Sequence, residues 1–247
     1  MPDRRKHRGP HPEDVRLFAP ALWPVLRQAT ADLCWLLSRG YADKSALKLV
    51  GDRYDLVARQ RTAVGRCSCS DARAARRQDH RVGPERLAGR PLWLDGYNVL
   101  TTVESALAGG VLLAARDGTY RDMASMHGSY RKVAETLPAL EVLGRVTAAL
   151  EVGQCLWFLD RPVSNSGRLK EIITRVAAAK AWPWRVELVQ DPDAPLAETS
   201  QIVATADSAV LDRCAAWFNL AREAIARCVP EAQVVELGGS GNWSSAQ

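Results

Sequence analysis

Histidine is scarce in this chain. Of its four histidines only His127 lies beyond residue 90. A histidine general base or a Ser-His-Asp hydrolase is therefore poorly supported in the C-terminal half. The chain also has no G-x-S-x-G, no G-x-x-x-x-G-K-[ST] and no Rossmann glycine fingerprint. No apolar run approaches the roughly 20 residues that span a bilayer. The basic start, Met1 to Arg8, has no apolar segment behind it and does not read as a secretory signal. A cytoplasmic protein is the expectation, with residues 1–12 as a flexible tail. Paired C-x₂-C spacing is missing as well. Cys34, Cys67 and Cys69, even taken with His80, do not match a zinc pattern. Cys155, Cys214 and Cys228 lie in apolar or helical stretches, as buried free thiols often do.

What is present is an ordinary globular composition, 47 % apolar and 25 % charged, over 247 residues. That length suits one large domain or two smaller ones. The net charge of +5 is unevenly spread. Residues 1–90 carry 19 Lys/Arg against 10 Asp/Glu, and residues 91–247 carry 14 against 18. A basic half that holds a polyanion and an acidic half that holds a metal would explain the split. Arginines that merely solvate helices would explain it equally.

Residues 13–66 read as a small helical domain. Helical spacing runs over 13–39, split by Pro20 and Pro24 and stopped at Gly40. A short helix to Leu49-Val50, a turn at Gly51-Asp52 and a basic helix over 53–64 are compatible with a helix-turn-helix. Arg53, Arg59 and Arg61 on that helix are then candidate nucleic-acid contacts. Any three-helix bundle has the same pattern. Residues 67–90 are rich in Arg and Ala without an apolar period and read as a basic linker or strap.

From residue 91 to 237 strands and helices alternate, which argues for a mainly parallel α/β sheet. Strands are expected at 92–95, 155–160, 185–189, 201–206 and 233–237. A hairpin turning at Asp117-Gly118 is expected over 111–122, and helices over 129–151, 167–180, 208–217 and 220–228. Residues 238–247 read as a second flexible tail.

Three of the apolar runs end on an acid: Leu92-Trp-Leu-Asp95, Cys155-Leu-Trp-Phe-Leu-Asp160 and Ile202-Val-Ala-Thr-Ala-Asp207. In a parallel sheet these ends share the edge where ligands bind. Three carboxylates there repel one another unless a cation such as Mg²⁺ or Mn²⁺ neutralises them. Each acid also has a plain reading. Asp95 could cap the turn made with Gly96, Asp160 could pair with Arg161, and Asp207 could be the N-cap of a helix. Arg161, Arg168 and Lys170 follow the second acid and could face substrate phosphates, or simply solvate a helix start. Trp182 and Trp184 more naturally pack a sheet edge than stack on bases.

Leu94-Asp-Gly-Tyr-Asn-Val-Leu100 resembles the first signature of the PIN-like nuclease superfamily, especially its NYN branch. Thr205-Ala-Asp-Ser-Ala-Val-Leu211 resembles its second. More narrowly, the chain resembles a prokaryotic group that joins a helical N-terminal domain to a PIN-like domain. The matching stretches include Arg39-Gly-Tyr, Leu49-Val-Gly-Asp-Arg-Tyr, Glu104-Ser-Ala, Asp117-Gly-Thr-Tyr-Arg-Asp122, Gly128-Ser-Tyr-Arg131 and Leu159-Asp-Arg-Pro. The resemblance implies an α/β/α sandwich and metal-dependent cleavage of RNA phosphodiesters. By motif position it implies Asp95, Asp160 and Asp207 as metal ligands. Asn98 would position Asp95 or the scissile phosphate, and Ser208 would hold a phosphate or a water of the metal. Glu104 and Asp122 are the implied choices for a fourth acid. A different class stays open: a PIN-like binding or regulatory protein without catalysis. Phosphatase chemistry with Asp95 as nucleophile lacks its second acid, since position 97 is Tyr.

Overall fold

The run Pro91–Asp95 is too apolar to lie at an edge, and it forms the central strand of the main sheet. The computed structural model describes residues 7–124 and 130–239. In it β1 (Pro91–Asp95) is flanked by β4 (Gln154–Asp160) on one side and β6 (Ile202–Ala204) on the other. Two helices, α6 (Gly96–Leu107) and α7 (Thr136–Ala149), precede β4. Next come α8 (Ser166–Ala179), β5 (Trp184–Val189) and α9 (Asp193–Glu198). After β6 follow α10 (Ser208–Leu211), β7 (Ala216–Phe218) and α11 (Leu220–Cys228). The five-stranded sheet has the order β5-β4-β1-β6-β7, and every pair in it is parallel. The chain leaves β1 for one neighbour and returns later on its other side, which makes the carboxyl end of β1 a topological switch point.

One face of the sheet packs a large core against α6, α7, α8 and α11, centred on Leu92, Leu94, Trp157, Leu140 and Ile173. The other face packs Phe158, Val203 and Trp217 under α9 and α10. The result is an α/β/α sandwich, as expected. Gly96 is what lets α6 start directly at the strand end. A Cβ there would lie 2.8 Å from Phe158 O and 2.6 Å from a methyl of Leu159. Gly144 of α7 plays a similar part, because a Cβ would overlap the Trp182 ring. Trp182 therefore packs on α7, and Trp184 lies between it and Trp157. The tryptophan pair is sheet packing rather than a base-stacking platform.

A second sheet joins β2 (Leu112–Ala114), β3 (Tyr120–Asp122) and β8 (Val234–Glu236) in the order β3-β2-β8. The hairpin at Asp117-Gly118 is present as β2 and β3. The strand expected at 233–237 joins this sheet and not the main one, and β7 stands where a continuous helix over 208–217 was expected. The helix expected over 129–151 begins at Thr136, and its first residue lies outside the described residues.

The N-terminal region comprises α1 (Asp14–Leu17), α2 (Trp23–Ser38), α3 (Asp43–Arg53), α4 (Ala58–Cys67) and α5 (Asp71–Asp79). Gly51-Asp52 lies inside α3; the turn comes after it, where Asp55 takes a positive φ of 47°. The helices do not stand apart from the α/β half. Leu26, Leu33 and Val64 share a core with Val111, Leu113, Val235 and Leu237 of the second sheet. The expected basic linker at 67–90 is structured too. Ser70 caps α5 by accepting from Arg73 N, and Arg77 on that helix is 1 % exposed. The described part of the expected N-terminal tail is likewise docked, since Arg8 is 5 % exposed. Residues 1–6 and 240–247 lie outside the described residues. Among the described residues no helix is long and apolar enough to cross a membrane.

Candidate functional site

A cleft of about 400 Å³ opens at the carboxyl ends of β1 and β6. Asp95, Asn98, Asp207 and Ser208 line it, as the motif positions imply, together with Asp122 and Asp193. Adjacent strand ends bring the first two motifs together. Leu94 pairs with Ala204, so Asp95 and Thr205 follow as neighbours on one sheet face. The Thr205 hydroxyl donates to Asp95 Oδ2 at 2.8 Å and accepts from Asp207 N at 2.9 Å. Asn98 Oδ1 accepts from Ala206 N at 2.8 Å. The two signatures are thus stitched into one edge by side chain and backbone.

Asp95 is 8 % exposed. Burial is the largest cause that pushes its carboxyl up to about 7; the Thr205 hydroxyl opposes this, and the charges of Asp207 and Asp193 add to it. Asp193 is itself raised, first by burial and then by Asp207, Asp191 and Asp160. Asp122 Oδ2 accepts from Thr101 and Thr102 at 3.2 and 3.1 Å. Among the described residues no Lys, Arg or His makes an ion pair with Asp95, Asp122, Asp193 or Asp207. Asp207 also does the plain work open to it: its Oδ1 caps α10 by accepting from Ala209 N and Val210 N.

Asp117 sits below this edge as a buried anchor. It pairs with Arg77 at 2.6 Å and with Arg121 at 2.7 Å. Despite its burial, these two guanidinium groups hold its carboxyl well below the usual range. Arg121 reaches on to Ala206 O, and Arg77 to Ser208 O and Asp212. Asp117 is therefore a turn residue that also fixes the β6–α10 loop, and hence Asp207.

Several expected site residues lie elsewhere. Glu104 is fully buried and bonded to Arg8 at 2.9 Å, Tyr130 at 2.5 Å and Thr136 at 2.6 Å, so its acceptors are taken and it is no fourth ligand. Asp160 ends β4 but does not line the cleft. Phe158 is the partner of Asp95, so Asp160 lies one pleat beyond it, roughly 6–7 Å further along the strand. Burial raises its carboxyl. Arg161 donates to Leu188 O rather than to Asp160. Arg168 and Lys170, on the first turns of α8, are not in the cleft wall. On the helical side the arginines turn inward or find local acids. Arg59 forms a part-buried pair with Asp14, Arg61 bonds Leu56 O and Asp52, and Arg53 lies 3.8 Å from Asp32. Ser208 begins a helix of only four residues, too short to supply much of a dipole for a phosphate.

Asp193 and Thr205 are the site residues that sequence reasoning missed. Asp193 does not end an apolar run, yet it lies four residues beyond the end of β5 and reaches the same cleft. Thr205 is two residues before Asp207, a spacing that puts both on one face of an extended segment. Cys34, Cys67 and Cys69 are buried free thiols. Among the described residues no three Asp, Glu, His or Cys side chains form a ready-made metal-binding group.

Comparison with known proteins supplies a family but no activity. The chain is 26 % identical over 186 residues to the Uncharacterized protein MJ0935 of Methanocaldococcus jannaschii, a stretch covering 75 % of this chain and 88 % of that protein. No solved structure gives a significant match. Residues 25–80 match the profile described as Protein of unknown function (DUF434), which takes in α2 to α5. Residues 84–223, more than half of the chain and all of the main sheet, match the profile described as Domain of unknown function (DUF5616), and the chain belongs to that family.

Proposed function

We propose that the chain is a cytoplasmic, PIN-like, Mg²⁺- or Mn²⁺-dependent ribonuclease that hydrolyses RNA phosphodiester bonds in the cleft at the ends of β1 and β6. The observation that carries this reading is the set of acids there. Asp95, Asp122, Asp193 and Asp207 share one cleft with no ion-pair partner among the described residues, and burial already disfavours the charge on Asp95. A divalent cation relieves such a cluster, and oxygen donors of this kind suit Mg²⁺ or Mn²⁺. Mg²⁺ keeps several of its waters, so two or three carboxylates near its shell are enough. Asp95 and Asp207 would hold it, with Asp193 and Asp122 beside them. The ion would supply charge neutralisation at the phosphoryl oxygens and a more acidic water.

The remaining residues orient. Thr205 fixes the direction of the Asp95 carboxylate and the height of Asp207. Asn98 spends its carbonyl on Ala206 N, which leaves its amide nitrogen to donate to a substrate oxygen. The test is divalent-dependent cleavage of single-stranded RNA by the intact chain, with Asp95→Asn as the control.

A second reading, a PIN-like nucleic-acid-binding or regulatory protein without catalysis, draws on two observations. Asp207 is engaged as a helix cap, and Asp160 stands outside the cleft. It predicts RNA binding with no cleavage under any divalent ion.

A further inference from the structure

The α/β half does not wall its cleft alone. Arg66, near the end of α4 in the helical region, lines the cleft alongside Asp95, Asp122 and Asp207. Among the described residues the only other basic side chain in that wall is Arg121, and the two differ in what their guanidinium groups do. Arg121 is consumed internally: it bonds both carboxylate oxygens of Asp117, Ala206 O and Arg66 O. The Arg66 guanidinium bonds the backbone carbonyl of Asp122 through one nitrogen, Nη1. Among the described residues no carboxylate pairs with it, although four acids share the cleft with it. Its backbone is held in place, since Arg66 O accepts from Arg121 and Cys67 O accepts from Arg116 N at 3.0 Å. A partly exposed guanidinium on a clamped helix end keeps a fork of donors that suits a phosphate's oxygens.

We propose that Arg66 grips a phosphate of an RNA strand seated in the cleft, so that the helical region is part of the binding site rather than an appended module. This rests on the reading of the cleft as an RNA site. It does not need that site to be catalytic. Acids that gather a divalent ion and one uncompensated arginine beside them make a paired recognition surface for a phosphodiester. The plain alternative is that Arg66 only ties α4 to β3 through the Asp122 carbonyl. A neutral donor would do that equally well.

The experiment is fluorescence anisotropy of a labelled single-stranded oligoribonucleotide with the full chain, in EDTA and over a salt series. Wild type, Arg66→Gln and Arg66→Lys are compared. Gln keeps a donor for Asp122 O without the charge, and thermal melts check that each variant is folded. The expected result is about tenfold weaker binding for Arg66→Gln, with the log–log salt slope shallower by roughly 0.7, the loss of one phosphate contact on a single strand. Arg66→Lys should fall between the two. Unchanged affinity and slope in Arg66→Gln, or no binding by wild type, overturns the assignment. Cleavage is scored separately with Mn²⁺ added. Arg66-dependent binding without any cleavage would sink the nuclease reading and leave this one standing. Cleavage by a variant that binds like wild type would do the reverse.

Discussion

Thr205 donates its hydroxyl proton to Asp95 at 2.8 Å and takes the backbone N–H of Asp207 on the same oxygen. One hydroxyl thus joins the two strand-end acids of the cleft. It also satisfies a buried carboxylate and a part-buried backbone N–H that would otherwise be costly.

Thr205→Val keeps the shape and removes both bonds. Stability should fall by about 1–3 kcal/mol, since the Asp207 amide and the Asp95 carboxylate each lose a partner. Outer partners of this kind typically change metal affinity 10- to 100-fold. Titration calorimetry with Mn²⁺ should show a loss of that order. Wild-type Mn²⁺ affinity in a folded Thr205→Val protein would remove Thr205 from the account.

The raised carboxyl of Asp95 has a definite signature against pH. The unfolded side chain titrates at 3.8 and the folded one at about 7. Between those values the folded chain keeps a proton that the unfolded chain has released. Stability therefore falls as pH rises through that window, at up to about 1.4 kcal/mol per pH unit. Asp95→Asn removes the effect. In EDTA its advantage over wild type should be near zero at pH 4, grow to pH 7, and stay constant above. Urea unfolding at several pH values checks this, and a pH-independent difference would contradict it.

Asp117 behaves with the opposite sign. Its carboxyl is held low by Arg121 and Arg77, so its contribution is present above the ordinary carboxylate range and fades only in strong acid. Asp117→Asn leaves Arg77 buried with only Asp212 as a carboxylate partner. The cost should be on the order of 3–5 kcal/mol. Chemical denaturation that finds less than about 1 kcal/mol would mean that water reaches this pair more freely than the structure implies.

Glu104 separates fold from site. Its partners are Arg8, Tyr130 and Thr136, none of them in the cleft wall. Glu104→Gln should lower stability by roughly 3–5 kcal/mol, because Arg8 loses its charge partner. Divalent-dependent cleavage per folded molecule should not change. Loss of cleavage in a Glu104→Gln protein with native melting would restore Glu104 as a ligand.

The parts legible in the sequence were those set by local pattern. Apolar runs that end in Asp located β1, β4 and β6, and Asp-Gly located the hairpin. Other features depended on long-range packing. β7 is three residues long, and β8 pairs with β2 rather than with the main sheet; neither choice leaves a periodic mark. The Arg-rich stretch 67–90 read as a strap because charge usually marks exposure. Arg77 is nonetheless buried, since Asp117 and Asp212 from distant segments neutralise it. The same reasoning applies to Arg59 and Asp14. Asp95, Asn98 and Asp207, grouped by motif position, line one cleft. Glu104, held by Arg8 docking from the N-terminus, and Asp160, which strand register carries past the cleft, do not.

The most direct measurement is cleavage of pooled cellular RNA by the full chain with Mn²⁺ or Mg²⁺, run beside Asp95→Asn and an EDTA control. Fragments should appear only with the divalent ion and the wild-type aspartate, while the variant binds RNA at least as tightly. Equal cleavage by wild type and Asp95→Asn, or none by wild type at any divalent concentration, would contradict the nuclease reading.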